Sequence, residues 1–142
     1  MYDDIGSYYF VGSGGGGGGG YGLSIKAGLK IKPQYLVGLL NSKLLDFMVQ
    51  KTSTRFSGGF FAYNKQYIQD LPIIIPSDKH KEDIANQIIN MVDKISTIYK
   101  EIESYNSPGK EVQNREAKVY EERIDQLVYD LYGITEEERK II

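Results

Sequence analysis

The apolar positions of this chain change their period three times. From Leu23 the sequence alternates strictly: Leu23, Ile25, Ala27, Leu29 and Ile31 are apolar, while Ser24, Lys26, Gly28, Lys30 and Lys32 are not. A period of two over ten residues predicts a β-strand with one buried face and one basic face. Upstream, Tyr8-Tyr9-Phe10-Val11 is a β-prone aromatic run. From Pro33 the period lengthens. Leu36, Leu39, Leu40, Leu44, Phe47 and Met48 recur at helical spacing, which predicts one helix from Pro33 to about Lys51 with proline in its first turn. Phe60-Phe61-Ala62-Tyr63 reads as a short strand. Tyr67-Ile68 and Leu71–Pro76 read as extended chain, because a residue before proline avoids the α region.

Beyond Asp78 the pattern is helical throughout. Ile84, Ile88, Met91, Ile95, Ile98, Ile102 and Tyr105 step by four and three, the seam of two helices packed side by side. Asn106-Ser107-Pro108-Gly109 breaks the run. Ala117, Tyr120, Ile124, Leu127 and Leu131 form a second seam, which Gly133 closes. Thr135 with Glu138 makes a capping box for a last short helix. Two seamed helices joined by a short breaker predict an antiparallel hairpin. The expected fold class is therefore α+β: a small mixed or antiparallel sheet packed on one helix, followed by a long antiparallel helical hairpin. The division falls near Pro76, giving an α+β part over 1–76 and a helical hairpin with a short C-terminal helix over 77–142.

Composition narrows the chemistry. The chain has 142 residues, 41% of them apolar, with no Cys and one His. That excludes a disulfide scaffold, a thiol nucleophile and a multi-histidine metal cage. No run of 18 apolar residues and no signal peptide is evident, so a cytoplasmic protein is expected. The charge is uneven. Residues 1–76 carry seven basic and four acidic groups, and residues 77–142 carry ten and fifteen. A basic part joined to an acidic helical part suits a polyanion-binding module on a scaffold, although charged helix surfaces are also ordinary.

Two segments carry candidate chemistry. Seven glycines run from Gly14 to Gly20. A phosphate or cofactor cradle needs a helix directly after such a turn, and here a strand pattern follows. The remaining readings are a flexible linker and a long turn between strands, for which Tyr9 and Val11 pair with Leu23 and Ile25. The second segment, Lys51–Gly59, offers Lys51, Thr52, Ser53, Thr54, Arg55 and Ser57 beside Phe56 and Phe60. Lysine and hydroxyl side chains suit phosphates, and an arginine fork suits a guanine edge. The competing readings are a plain connector and, for Arg55, a helix cap or phosphate holder. His80 starts a charged helix turn, and Glu136-Glu137-Glu138 fits a helix N-terminus, so neither is assigned chemistry.

The order of these features is distinctive: a Tyr-Tyr-Phe strand, an oligoglycine run ending Gly-Tyr-Gly-Leu, then "LVGLLNSKLLDF", "GGFFAYNKQYIQDLPI" and the ending "IDQLVYDLYGITEEERKII". Taken together they resemble the TaqI-like C-terminal specificity domain of adenine-specific DNA methyltransferases and type IIG restriction-modification enzymes. Type I specificity subunits are similar in plan. The resemblance implies a DNA sequence-recognition module that binds duplex DNA and directs a catalytic domain to its site. It implies an N-terminal methyltransferase domain of the same parent chain as partner, with this chain as the C-terminal part. The four prolines, Pro33, Pro72, Pro76 and Pro108, are never adjacent, so the Asn/Asp-Pro-Pro-Tyr/Phe methyltransferase motif is missing. No catalytic residue, cofactor or metal site is expected in these residues. S-adenosylmethionine, and Mg2+ if the parent is a nuclease, belong to the parent, which is expected to be a site-specific adenine methyltransferase with or without endonuclease activity.

The expected DNA-binding residues are Lys26, Lys30, Lys32, Lys51, Thr52, Thr54, Arg55, Ser57, Gly58 and Lys65, with Arg55 as base reader. A homodimer through the helical hairpin is a further expected arrangement. The structural alternative is a helical oligomerisation or scaffold module with no DNA contact. The enzymatic alternative is a cofactor-binding domain built on the glycine run.

Overall fold

In a computed structural model of the chain, residues 2–4, 8–10, 21–55, 58, 59, 61, 63–104 and 109–142 are described. Among the described residues six helices make the folded body: α1 (Pro33–Leu40), α2 (Lys43–Thr52), α3 (Lys65–Ile68), α4 (Lys79–Ser104), α5 (Lys110–Tyr132) and α6 (Glu136–Arg139). Helices α4 and α5 pack side by side along their seams, and α1 lies across α4. Among the described residues, strands β1 (Tyr2–Asp4), β2 (Tyr8–Phe10) and β3 (Tyr21–Leu23) precede them. They pair antiparallel in the order β1-β2-β3, with Tyr9 opposite Gly22.

The expected α+β body is overturned. Every buried apolar side chain among the described residues lies on a helix, from Tyr35 in α1 to Leu131 in α5. No described residue from Ser24 onward belongs to a strand. The alternating segment stops being a strand at Leu23. A turn follows, in which the Leu29 amide donates to the Lys26 carbonyl at 3.2 Å. Gly28 takes φ +91°, a conformation that side-chain-bearing residues avoid. Leu23, Ile25 and Ile31 still reach the helical core, but Leu29 is 45% exposed. The alternation is thus satisfied by a strap laid over helices. Phe61 forms only an isolated bridge with Arg55, and Phe60 and Ala62 lie outside the described residues. Tyr67-Ile68, expected to be extended, is helical in α3, while Leu71–Pro76 is extended chain.

The single helix expected over Pro33 to Lys51 is two helices. Asn41 and Ser42 interrupt it, and Ser42 caps α2, its hydroxyl oxygen accepting from the Leu45 amide at 3.4 Å. The first amide of α2, that of Lys43, has no partner within its own helix. Asp125 of α5 accepts it, at 2.8 Å to Oδ1, and the Lys43 ammonium lies 3.6 Å from Oδ2. Asp125 is 6% exposed. Burial raises its carboxyl above the ordinary carboxylate range, while the Lys43 contacts pull it back down.

The core spans both sides of Pro76: Tyr35, Leu39 and Leu45 join Ile88, Leu127 and Val128 in one cluster. Gly38 sets the approach of α1 to α4. A Cβ there would stand 2.4 Å from Ile88 Cγ2 and 3.2 Å from Val92 Cγ2. The expected hairpin stands, with the described ends of α4 and α5 at Ser104 and Lys110; residues 105–108 of the breaker are outside the described set. Tyr99 reaches across it to Glu121 at 2.9 Å. Left-handed Gly133 ends α5, and the Thr135–Glu138 capping box opens α6. No helix among the described residues is long and apolar enough to cross a membrane.

Two substitutions test this packing. In Gly38→Ala, better helix propensity gains at most about 1 kcal/mol. The methyl group meets a β-branched side chain that is fully buried, and such overpacking costs about 1–3 kcal/mol. Denaturant titration should therefore show a net loss, and an equal or higher midpoint would contradict the close α1–α4 contact. Asp125→Ala strands the Lys43 amide and should cost about 1–3 kcal/mol, whereas Asp125→Asn keeps an acceptor and should cost less. Because the folded carboxyl is raised, its contribution is present below the ordinary carboxylate pKa and falls as pH rises through the folded value. Melting curves should show Asp125→Asn gaining on the native chain between acid and neutral pH.

Candidate nucleic-acid interface

The segment that follows α2 is built as a closed arch. Helix α2 finishes with the Ser53 amide donating to the Val49 carbonyl at 2.8 Å, and the Thr52 hydroxyl lies near the Met48 and Val49 carbonyls at 3.3 and 3.2 Å. Arg55 takes no part in that closure. Its backbone pairs with Phe61, and its guanidinium lies over the Phe61 ring, 5.1 Å from the centroid. Between them Gly58 and Gly59 both take positive φ, +99° and +83°. Two consecutive residues in that region reverse the chain in a way that favours glycine strongly. Phe56, Ser57 and Phe60 lie outside the described residues.

Two further contacts tie the arch to the helices. The Thr54 and Tyr67 hydroxyls bond to each other, fixing the start of the arch to α3. This bond holds the Tyr67 phenol below its ordinary value. The Tyr63 hydroxyl donates to Asp46 Oδ1, and Gln50 donates to Oδ2 at 2.6 Å, fixing the return of the arch to α2. Burial, with the Asp46 bond second, pushes the Tyr63 phenol up to about 12.

Of the residues expected to touch DNA, the structure gathers Lys51, Thr52, Thr54, Arg55, Gly58 and Lys65 on α2, the arch and the first turn of α3, all exposed. Ser57 lies outside the described residues. Lys51 extends over Phe47, 4.7 Å from the ring centroid. Lys26, Lys30 and Lys32 are exposed too, but the strand face expected to align them is replaced by the turn at 26–29. Lys30 and Lys32 instead border a cleft of about 250 Å³ with Tyr35, Pro76, Glu82 and Asn86. That cleft mixes charges of both signs.

The candidate cations share with Lys118 and Arg123 of α5 the lack of an ion pair among the described residues. Lys43, Lys81 and Arg139 each meet a carboxylate. Among the described residues, no carboxylate pairs with Lys26, Lys30, Lys32, Lys51, Arg55 or Lys65. Also among the described residues, no three His, Cys, Asp or Glu side chains converge to hold a metal ion. The glycine run, where a cofactor cradle was weighed, lies outside the described residues.

Phe61, Tyr63 and Tyr67, which shape the arch, are missed by sequence reasoning as site residues. The available signal is local: a Gly-Gly pair with arginine three residues before it and an aromatic two residues after it is a reversal signature. The Tyr63 tie is testable. Tyr63→Phe should cost about 1 kcal/mol and speed amide exchange at Arg55 and Phe61. A phenol raised in the folded state contributes stability below its free value, lost as pH climbs through about 12. Alkaline titration should therefore loosen the native arch between the free tyrosine value and about 12, and Tyr63→Phe should lack that phase; equal exchange in both chains would contradict the tie.

No curated protein and no solved structure matches this chain. Residues 21–73 match the family model of the TaqI-like C-terminal specificity domain, which carries with it a DNA target-recognition role in a restriction-modification enzyme.

Proposed function

We propose that this chain is the sequence-reading part of such an enzyme. It binds duplex DNA through the arch and the adjoining helix ends, and it directs a methyltransferase domain of the same parent chain to its site. The observation that carries this reading is the family match, because all ten candidate residues, Lys26 to Lys65, fall within residues 21–73. The exposed cations without carboxylate partners support it: a lysine free of internal pairing has its charge available for a phosphate.

The roles divide by chemistry. Lys51, Lys65 and Lys30 are point charges that suit phosphates and set register without reading sequence. Thr52 and Thr54 shape the surface between these charges, their hydroxyls bonded to the end of α2 and to Tyr67. Arg55 carries a planar fork that can bond a guanine edge through two parallel N–H groups. The proposal assigns methyl transfer, its S-adenosylmethionine and any Mg2+-dependent cleavage to the parent's other domain.

Fluorescence anisotropy with duplex DNA over a range of salt tests this reading. The logarithm of affinity should fall with the logarithm of salt, by about 0.9 per phosphate contacted. Lys51→Ala with Lys30→Ala should weaken all sequences alike and reduce that slope by about 2. Unchanged affinity and slope in the double variant would put the contact surface elsewhere.

A further inference from the structure

We infer that Phe61 is a specificity-positioning residue that acts through Arg55. The inference rests on the proposed reading of the arch as a DNA-contacting element and goes further, since it assigns a role to a residue that itself offers no group to DNA. An exposed arginine ordinarily samples many rotamers, and ordering it on binding costs affinity. Here the cost is reduced in advance. The Arg55 guanidinium lies over the Phe61 ring at 5.1 Å, and the backbones of the same two residues are bridged. A guanidinium held over a ring is not engaged through its N–H groups, and those groups are what bond a guanine bidentately.

The surroundings favour Arg55 over the other cations for this role. Among the described residues no carboxylate neutralises it. It sits on the rising limb of an arch whose tip, Gly58-Gly59, has no side chains to hold a groove wall away. A Cβ added at Gly59 would meet nothing within 4 Å, so the tip borders open space. Both limbs are anchored, by Thr54 to Tyr67 and by Tyr63 to Asp46. The segment that carries Arg55 and Phe61 is thereby tied to α2 and α3. Lys51 is likewise held over an aromatic ring, but a lysine so held remains a point charge without bidentate geometry.

The test uses the full chain and a randomised duplex DNA library, from which the preferred duplex is selected and its single-base variants are measured by anisotropy. Arg55→Ala should relax the preference at one base pair. Phe61→Leu should relax it at the same base pair by about three- to tenfold, Phe61→Tyr should retain it, and Phe61→Leu should add nothing in an Arg55→Ala background. In the chain without DNA, the ring-current displacement of the Arg55 Nε–Hε signal should vanish in Phe61→Leu and persist in Phe61→Tyr. This comparison reads the stack without requiring DNA, and Phe61→Met substitutes should Phe61→Leu not fold. Full discrimination in folded Phe61→Leu or Phe61→Met, or the same loss in the presence and absence of Arg55, would overturn the positioning role alone. A native chain that selects no duplex would overturn both this role and the DNA reading beneath it.

Discussion

A buried carboxylate on one helix holds the first amide of another. Asp125 lies on α5, and the Lys43 amide it accepts opens α2, 82 residues earlier in the chain. Helix N-termini leave amides without partners, and a buried carboxylate is expensive unless it is bonded. Each need answers the other here, with the Lys43 ammonium adding a counter-charge at 3.6 Å. The contact also locates the break between α1 and α2, since Lys43 follows Ser42, the buried residue whose hydroxyl caps α2 and bonds the Leu39 carbonyl at 2.6 Å. The direction of α2, and hence the position of the arch at its C-terminus, depends on a residue of the helical hairpin.

Other ties run the same way. The Tyr35 hydroxyl donates to the Ile74 carbonyl at 2.7 Å, and the Tyr132 hydroxyl donates to that of Pro72. The extended Leu71–Pro76 segment is thus held by both α1 and α5. Burial raises both phenols, so neither ionises near neutrality. With Gly38 seating α1 against Ile88, the segment matched by the family model and the hairpin beyond it share one core. A connector can carry exposed, polar, function-bearing residues when the scaffold beneath it is rigid. The arch meets that condition through three short ties: Arg55 to Phe61, Thr54 to Tyr67 and Tyr63 to Asp46.

What the sequence could reveal follows from how local each cause is. The α4–α5 seams, the glycine end of α5 and the Thr135–Glu138 box were legible, because spacing and capping act over one to two turns. The break at Ser42 was not, since the carboxylate that takes the Lys43 amide just after it, Asp125, lies far along the chain. The alternation from Leu23 to Ile31 misled for a different reason. Leu23, Ile25 and Ile31 do face the core, but the core is helical and Gly28 turns the chain before a strand can extend. At the candidate site, the exposed cations and hydroxyls were readable from composition. The arch that orders them was not, because it depends on which aromatic ring Arg55 meets.

The central claim is that the arch and the neighbouring ends of α2 and α3 meet duplex DNA, while the hairpin acts as their scaffold. Mapping amide chemical-shift changes along the full chain during titration with the selected duplex tests this most directly. The account predicts changes concentrated between Lys51 and Lys65, with the outer face of α5 around exposed Val112 and Val119 left unmoved. Changes centred on that outer face, with the Lys51–Lys65 amides silent, would contradict it.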